Sequence, residues 1–374
     1  KPFFRADQVG SLLRPQSLLD ARSQYERKAI SHEALRSIED AAIAAVAKQQ
    51  ELLGFGVVVD GEFRRENWWI DFARSLRGVE IQDGHSHSFV KDGADCTHDH
   101  SWQYVPKNVF VHDKIALENS PNARDFASLK SAVNVNANAK ITIPSPTRLH
   151  FHGGRAAVSS NAYPDIEEFF ADVVRVYQQE IAALEAAGCR YIQIDDPLLT
   201  YFISDRLRAE VTAAGEDPDK RLARYIQLTN DCIANRRSDT AVGIHVCRGN
   251  SRSGWISEGG YARIAEAVFG GLQCDHLLLE YDDERSGDFE PLRYVPSGQR
   301  VVLGLVTTKH GQLEKQGDLL RRIDAASKFV PLDNLALSPQ CGFASTVEGN
   351  IITMEDQWQK LALIVDTAKR VWGT

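Results

Sequence analysis

Two hydrophobic patterns take turns along this chain. Short runs, most of them continuously apolar, occur at 3–11, 57–60, 140–143, 191–195, 240–245, 276–280, 300–306 and 334–338. Runs of this kind predict strands buried on both faces, as parallel sheets require. Between them, apolar residues recur at helical spacing over 31–53, 165–187, 220–235, 260–269, 313–329 and 355–371. In the first of these, Ser31 is placed to cap and Glu33 lies in the first turn. Ile38, Ala42, Ala45 and Val46 form its stripe, and Gly54 and Gly56 end it. Strand and helix thus repeat about eight times, which predicts an α/β chain folded as a (β/α)₈ TIM barrel over residues 1–374.

Residues 64–138 break the rhythm. They are polar and hold Trp68, Trp69, Trp102 and five of the eleven histidines: His85, His87, His98, His100 and His112. A structureless loop of that length is improbable in a compact fold. The segment is therefore expected to be an excursion of β-hairpin and helix inserted after the second strand, with strands at 86–90 and 102–104, lying near the barrel mouth. Its two H-x-H pairs read as solvated loop histidines.

Composition narrows the function. The net charge of −8 argues against nucleic acid or an anionic membrane as main partner. No apolar run approaches the roughly 20 residues of a membrane span, and the first residues lack a signal-peptide core. Six cysteines without a C-x-x-C pair do not resemble a disulfide framework, so a reducing cytoplasm is expected. No G-x-G-x-x-G or P-loop follows a strand, which removes the usual dinucleotide and NTP readings.

Functional groups of such a barrel sit where strands end at the C-terminal face. The predicted strands end in Gly10-Ser11, Asp60-Gly61-Glu62, Pro144-Ser145, Asp195-Asp196, His245-Val246-Cys247, Glu280, Val306-Thr307-Thr308 and Ser338-Pro339-Gln340-Cys341. Alternate strand residues face one side at a rise of about 3.3 Å per residue, so His245 and Cys247 can close on one ion. Adding Glu280 and Cys341 gives two thiolates, an imidazole and a carboxylate, a set that suits Zn²⁺ better than Mg²⁺ or Ca²⁺. Cys189, Cys232, Cys274 and Cys96 read as buried packing. Asp196 and Asp283 have a simpler use as helix caps, and Glu62 one as a surface partner of Arg64 or Arg65.

At these residues the chain resembles the C-terminal zinc barrel of cobalamin-independent methionine synthase and, more closely, the single-barrel proteins related to it. The motifs are Gln8-Val9-Gly10-Ser11, Asp60-Gly61-Glu62, Ile192-Gln193-Ile194-Asp195-Asp196-Pro197, His245-Val246-Cys247, Leu279-Glu280 and Ser338-Pro339-Gln340-Cys341-Gly342, in the family's order. The resemblance implies a catalytic zinc on His245, Cys247, Glu280 and Cys341. It also implies that Ser11, Glu62 and Asp195 grip the amino-acid end of homocysteine. Three features depart from the full-length enzyme. These 374 residues hold no second barrel. Pro144-Ser145-Pro146 stands where methionine synthases carry a Trp against the pterin. The general-acid histidine has only a shifted candidate, His310 after Lys309. All three weaken methyltetrahydrofolate as donor.

The expected chemistry is activation of a thiol as a zinc thiolate that attacks an alkyl carbon, with Glu280 yielding its place to substrate and His310 as acid. The expected partners are a small-molecule thiol and an alkyl donor, and homo-oligomer formation stays open. The nearest rival is an epoxyalkane–coenzyme M transferase, with Arg64, Arg65, Arg148 or Arg248 facing a sulfonate. A zinc-free lyase like uroporphyrinogen decarboxylase, on a related barrel, is opposed by the four ligands. A non-catalytic zinc-binding barrel is the plain alternative. Fold does not decide among these.

Overall fold

The computed structural model describes residues 1–83 and 107–373. The chain begins with α1 (Gln16–Glu26), α2 (His32–Leu53), β1 (Val57–Val58), α3 (Ile70–Arg74), β2 (Leu76–Asp83), β3 (Lys107–Leu117) and α4 (Pro121–Ala132). It continues through β4 (Asn138–Ala139), β5 (Ile141–Pro144), α5 (Ile166–Ala186), β6 (Tyr191–Asp195), α6 (Leu198–Tyr201), α7 (Asp205–Ala213) and α8 (Pro218–Ile233). It ends with β7 (Ala241–Val246), α9 (Ala265–Gly271), β8 (His276–Glu280), β9 (Arg300–Val306), α10 (Gln316–Ser327), β10 (Leu335–Pro339) and α11 (Met354–Trp372).

Strands β5 to β10 lie side by side in chain order as one parallel sheet. Shorter pairings close the circle. Ala6 bridges Leu337 of β10, Ser11 bridges Gly61, and β1 pairs with β4, which runs on into β5. The Lys140 N–H to Val58 carbonyl bond (2.9 Å) carries that last pairing onward. The result is a parallel ring of eight staves with helices between them, the (β/α)₈ architecture that the alternating pattern predicts. Its staves are nearly all apolar and buried, which is why continuous runs mark them.

Helix α2 shows where pattern alone slips. Ser31 caps it by accepting from the Ala34 N–H, and Gly54 closes it in the left-handed region at φ 98°. The buried face, however, is Leu35, Glu39, Ile43, Val46, Ala47 and Gln50; Ile38 and Ala45 are exposed. Gln50 can join that face because its amide is fully used: it donates to the Val46 and Val59 carbonyls (3.0 and 2.8 Å) and accepts from the Val59 N–H (2.9 Å).

Between the second and third staves stand α3, the antiparallel pair β2–β3 and α4. Strand β3 packs on α5, and Val111 also bridges Val158. The strands expected at 86–90 and 102–104 lie outside the described residues, as do Cys96, His85, His87, His98 and His100. His112 is exposed on β3. No described helix is long and apolar enough to cross a membrane.

Candidate functional site

The ends of three staves meet in one buried place. His245 leaves β7 with its side chain on the same side as Cys247, two residues on. Cys341 arrives from the loop after β10. The imidazole and the two thiols bring their donor atoms within 4.8 Å of one another, all three buried. Glu280, at the end of β8, is fully buried beside them but outside that close group. Its Oε2 accepts from the Arg248 N–H (3.1 Å) and Asn250 Nδ2 (3.0 Å), and its Oε1 has no hydrogen-bond partner.

The electrostatics are those of donors crowded together. The neighbouring Cys247 thiol, then His245, hold the Cys341 thiol well below the usual range against the opposing effect of burial. Its contact with Cys341, followed by burial, drives Cys247 well above that range. Burial alone would lower the His245 imidazole, but Cys341, Asp195 and Glu280 outweigh it and raise it. Burial, then Asp282, raises Glu280. Neither ring nitrogen of His245 has a hydrogen-bond partner. A buried imidazole without partners is costly in a folded protein. The unpartnered ring and the two thiols are a donor set that a thiophilic metal ion satisfies, with the Glu280 carboxyl beside it, so the residues fit zinc.

A cavity of about 40 Å³ opens onto these donors. Ser11, Glu62, Asp195, Trp68 and Gly342 line it together with His245, Cys247 and Cys341. Glu62 sits in the left-handed region at φ 58°, an uncommon conformation for a residue other than glycine. Its N–H bonds to Asp60 Oδ1 (2.9 Å), and its Oε1 accepts from Thr142 Oγ1 (2.7 Å). It is buried, so it is no surface partner of arginine: Arg65, 3.7 Å away, is buried with it, and Arg64 turns to Asp40 and Glu39. Asp195 Oδ1 accepts from Gln193 Nε2 (2.6 Å). Gln193 in turn accepts from Lys140 Nζ (2.9 Å), which pairs with Asp7 (2.8 Å) inside the barrel. Burial raises the Asp195 carboxyl.

Beyond Trp68, Pro197, Gly249 and Asn250 the cavity continues into a cleft of about 120 Å³ between Trp69, Tyr201 and Trp255. Arg148 lies there, 3.7 Å over the Trp69 ring and bonded to the Lys107 carbonyl (2.8 Å).

Other expected residues lie elsewhere or do simpler things. His310 is exposed, near Lys360 and Glu314, and lines neither space. Arg248 is not a mouth cation: it is fully buried, 4.8 Å over the Tyr261 ring. Asp196 is not the N-cap of α6, which is Pro197; it accepts from the Leu198 N–H (3.0 Å) and from Ser145 Oγ (2.6 Å), while Asp283 accepts from the Arg285 N–H (3.0 Å). Cys189, Cys232 and Cys274 are buried away from the site. Sequence reasoning passed over Asn250, Gln193 and Thr142. Asn250 and Gln193 each lie within three residues of a donor or carboxylate in the motifs, a weak signal that only contact makes legible.

The family model described as "Cobalamin-independent synthase, Catalytic domain" matches residues 130–370. The chain belongs to the cobalamin-independent methionine synthase family. It is 44% identical to the uncharacterized protein YxjG of Bacillus subtilis over 100% of this chain and 96% of that one. It is 36% identical, with a TM-score of 0.78, to a Listeria monocytogenes structure assigned as a vitamin-B12-independent methionine synthase, covering 100% and 99% of the two chains. The methionine synthase of Pyrococcus abyssi is 22% identical over 99% of this chain and 93% of its own. As a member of the methionine synthase family, the chain is a transferase of the methyltransferase class.

Proposed function

We propose that this methionine synthase-family protein is a zinc-dependent methyl- or alkyltransferase whose thiol substrate is homocysteine and whose product is methionine. The observation that carries the reading is the buried His245, Cys247 and Cys341 donor set, with Glu280 beside it, opening on a cavity that also holds Glu62 and Asp195. His245, Cys247 and Cys341 would hold the ion, with Glu280 as the fourth ligand. Bound zinc supplies a thiol deprotonated near neutral pH, whose free pKa is about 8.5, at an exchangeable position. Glu280, buried beside the three donors, is the residue that would give way to a substrate thiol. Glu62 and Asp195 receive the substrate ammonium, with Ser11 beside them. The sulfur lone pair then forms the new S–C bond while the bond from that carbon to the donor breaks, and the donor leaves with its electron pair. The cleft past Trp68 is where the donor approaches. His310, exposed and outside both spaces, has no part in this scheme.

Two buried carboxylates favour a thiol bearing an amino group over coenzyme M, which has a sulfonate instead. The five free buried cysteines among the described residues go with a reducing cytoplasm. The test is an alkylation screen of purified zinc-loaded protein. Homocysteine and coenzyme M are offered methylated folates, methylcobalamin and epoxides. Methionine formed from at least one methyl donor supports the reading. Turnover of coenzyme M with epoxide but none of homocysteine overturns it.

A further inference from the structure

Glu280 lies beside the donor set rather than in it, and the groups that hold it there are built for the purpose. Its Oε2 receives two hydrogen bonds, from the Arg248 N–H at 3.1 Å and from Asn250 Nδ2 at 3.0 Å. Asn250 is locked in the orientation that makes this contact: its Oδ1 accepts from Gln340 Nε2 (3.4 Å), and Gln340 Oε1 accepts from the Thr308 N–H (2.6 Å). On the other side, Arg285 Nη2 stands 3.9 Å from Glu280 Oε1. Arg285 is itself fixed by Asp283 (2.5 Å) and by the Trp255 ring beneath it (3.6 Å). The Arg248 guanidinium is buried nearby with no hydrogen-bond partner on any of its three nitrogens. A carboxylate this deep is costly unless donors and opposite charge surround it, and here both do.

We infer that Asn250, the Arg248 N–H and Arg285 form a second seat for the Glu280 carboxylate, distinct from its place on the metal, and that Glu280 moves between the two. The inference rests on the zinc reading above and adds Asn250 and Arg285 to it as positioning residues. The seat is filled in the metal-free protein and again when substrate thiol has displaced Glu280. It is empty when Glu280 binds the ion.

Linkage then fixes the signs. Weakening the seat destabilises the metal-free and the thiol-bound states but not the metal-bound, thiol-free one. In Asn250→Ala, zinc affinity therefore rises and homocysteine affinity of the zinc-loaded protein falls. Each moves about tenfold, the size of one hydrogen bond to a charged group. Arg285→Gln moves both in the same directions by less, because its contact is longer. A merely structural role weakens both together.

The experiment measures zinc affinity by competition with a chromophoric chelator and homocysteine affinity by calorimetry, on wild type and both variants, with thermal melting to confirm folding. Opposite shifts support the seat; if Asn250→Ala does not fold, Arg285→Gln alone carries the test. Affinities that fall together, or that do not move, overturn it. Zinc uptake and homocysteine binding by wild type with unmoved variants sink the seat alone. A wild-type chain that takes up no zinc sinks the zinc reading with it.

Discussion

At the scale of single residues, the site depends on polar groups whose freedom has been removed. Glu62 is held by its own left-handed backbone, by Asp60 and by Thr142, so its carboxylate faces the cavity in one position. Replacing it as Glu62→Gln keeps shape and removes charge. Homocysteine affinity of the zinc-loaded protein is expected to fall about 10- to 100-fold, while affinity for a thiol without an amino group changes less than about twofold. Calorimetry with the two thiols checks this, and equal losses for both would remove Glu62 from amine recognition. His150 illustrates a residue that shapes stability instead. It is buried against Phe170, bonded to Tyr225 Oη (2.8 Å) and faced by Arg221, Arg155 and Arg224. Burial, then those arginines, lowers its imidazole to about 3. Between that value and the unfolded one near 6.5 the unfolded chain binds the extra proton, so stability falls as pH drops through 6.5. Replacing the ring as His150→Phe removes this dependence. Urea unfolding at pH 7.5 and 5.5 is expected to show a wild-type loss larger than the variant's by about 1.4 kcal/mol. Such residues are only partly legible in sequence. H-x-C announces itself by spacing, whereas Asn250 and Gln193 are ordinary amides until a fold places them against a carboxylate.

At the scale of elements, delivery of Cys341 depends on how closely three staves approach. Strand β10 shifts register between Ser338 and Pro339, just before Gln340 and Cys341. Gly304 of β9 makes room: a Cβ there would lie 2.7 Å from Gln340 Cα and 2.8 Å from the Leu279 carbonyl oxygen. Both are backbone atoms and cannot swing aside. Gly304→Ala is therefore expected to cost about 1–3 kcal/mol of stability and to weaken zinc binding as Cys341 shifts. Chemical denaturation and chelator competition check the two effects; a variant matching wild type in both would contradict this role. Legibility at this scale follows burial. The strands 191–195, 276–280 and 300–306 coincide with β6, β8 and β9, because both faces are buried and every position is constrained. The sequence pattern places the strands of the excursion at 86–90 and 102–104, and so does not find β2 and β3. Exposed and buried positions are mixed along both strands, so their pattern is weaker. The short α6 and α7, and α1, escaped for a related reason: α6 is a single turn buried all round, and α1 and α7 show narrow apolar faces.

At the scale of the whole molecule, the ring gathers groups from positions 11, 62, 195, 245, 280 and 341 that are far apart in sequence. It does so because every parallel stave presents its C-terminal end to the same mouth. The ring was legible from periodicity; the cleft beyond Trp68 was not, since its walls come from several loops and from Trp69, Tyr201 and Trp255 at unrelated positions. The central claim is that this mouth holds a zinc ion that exchanges a carboxylate for a substrate thiol. X-ray absorption at the zinc edge, on purified protein before and after homocysteine, tests it most directly. The expected result is about one zinc per chain with two sulfur, one nitrogen and one oxygen donors, the oxygen replaced by a third sulfur when homocysteine is added. A chain that holds no zinc, or a zinc whose donors do not change on adding the thiol, would contradict it.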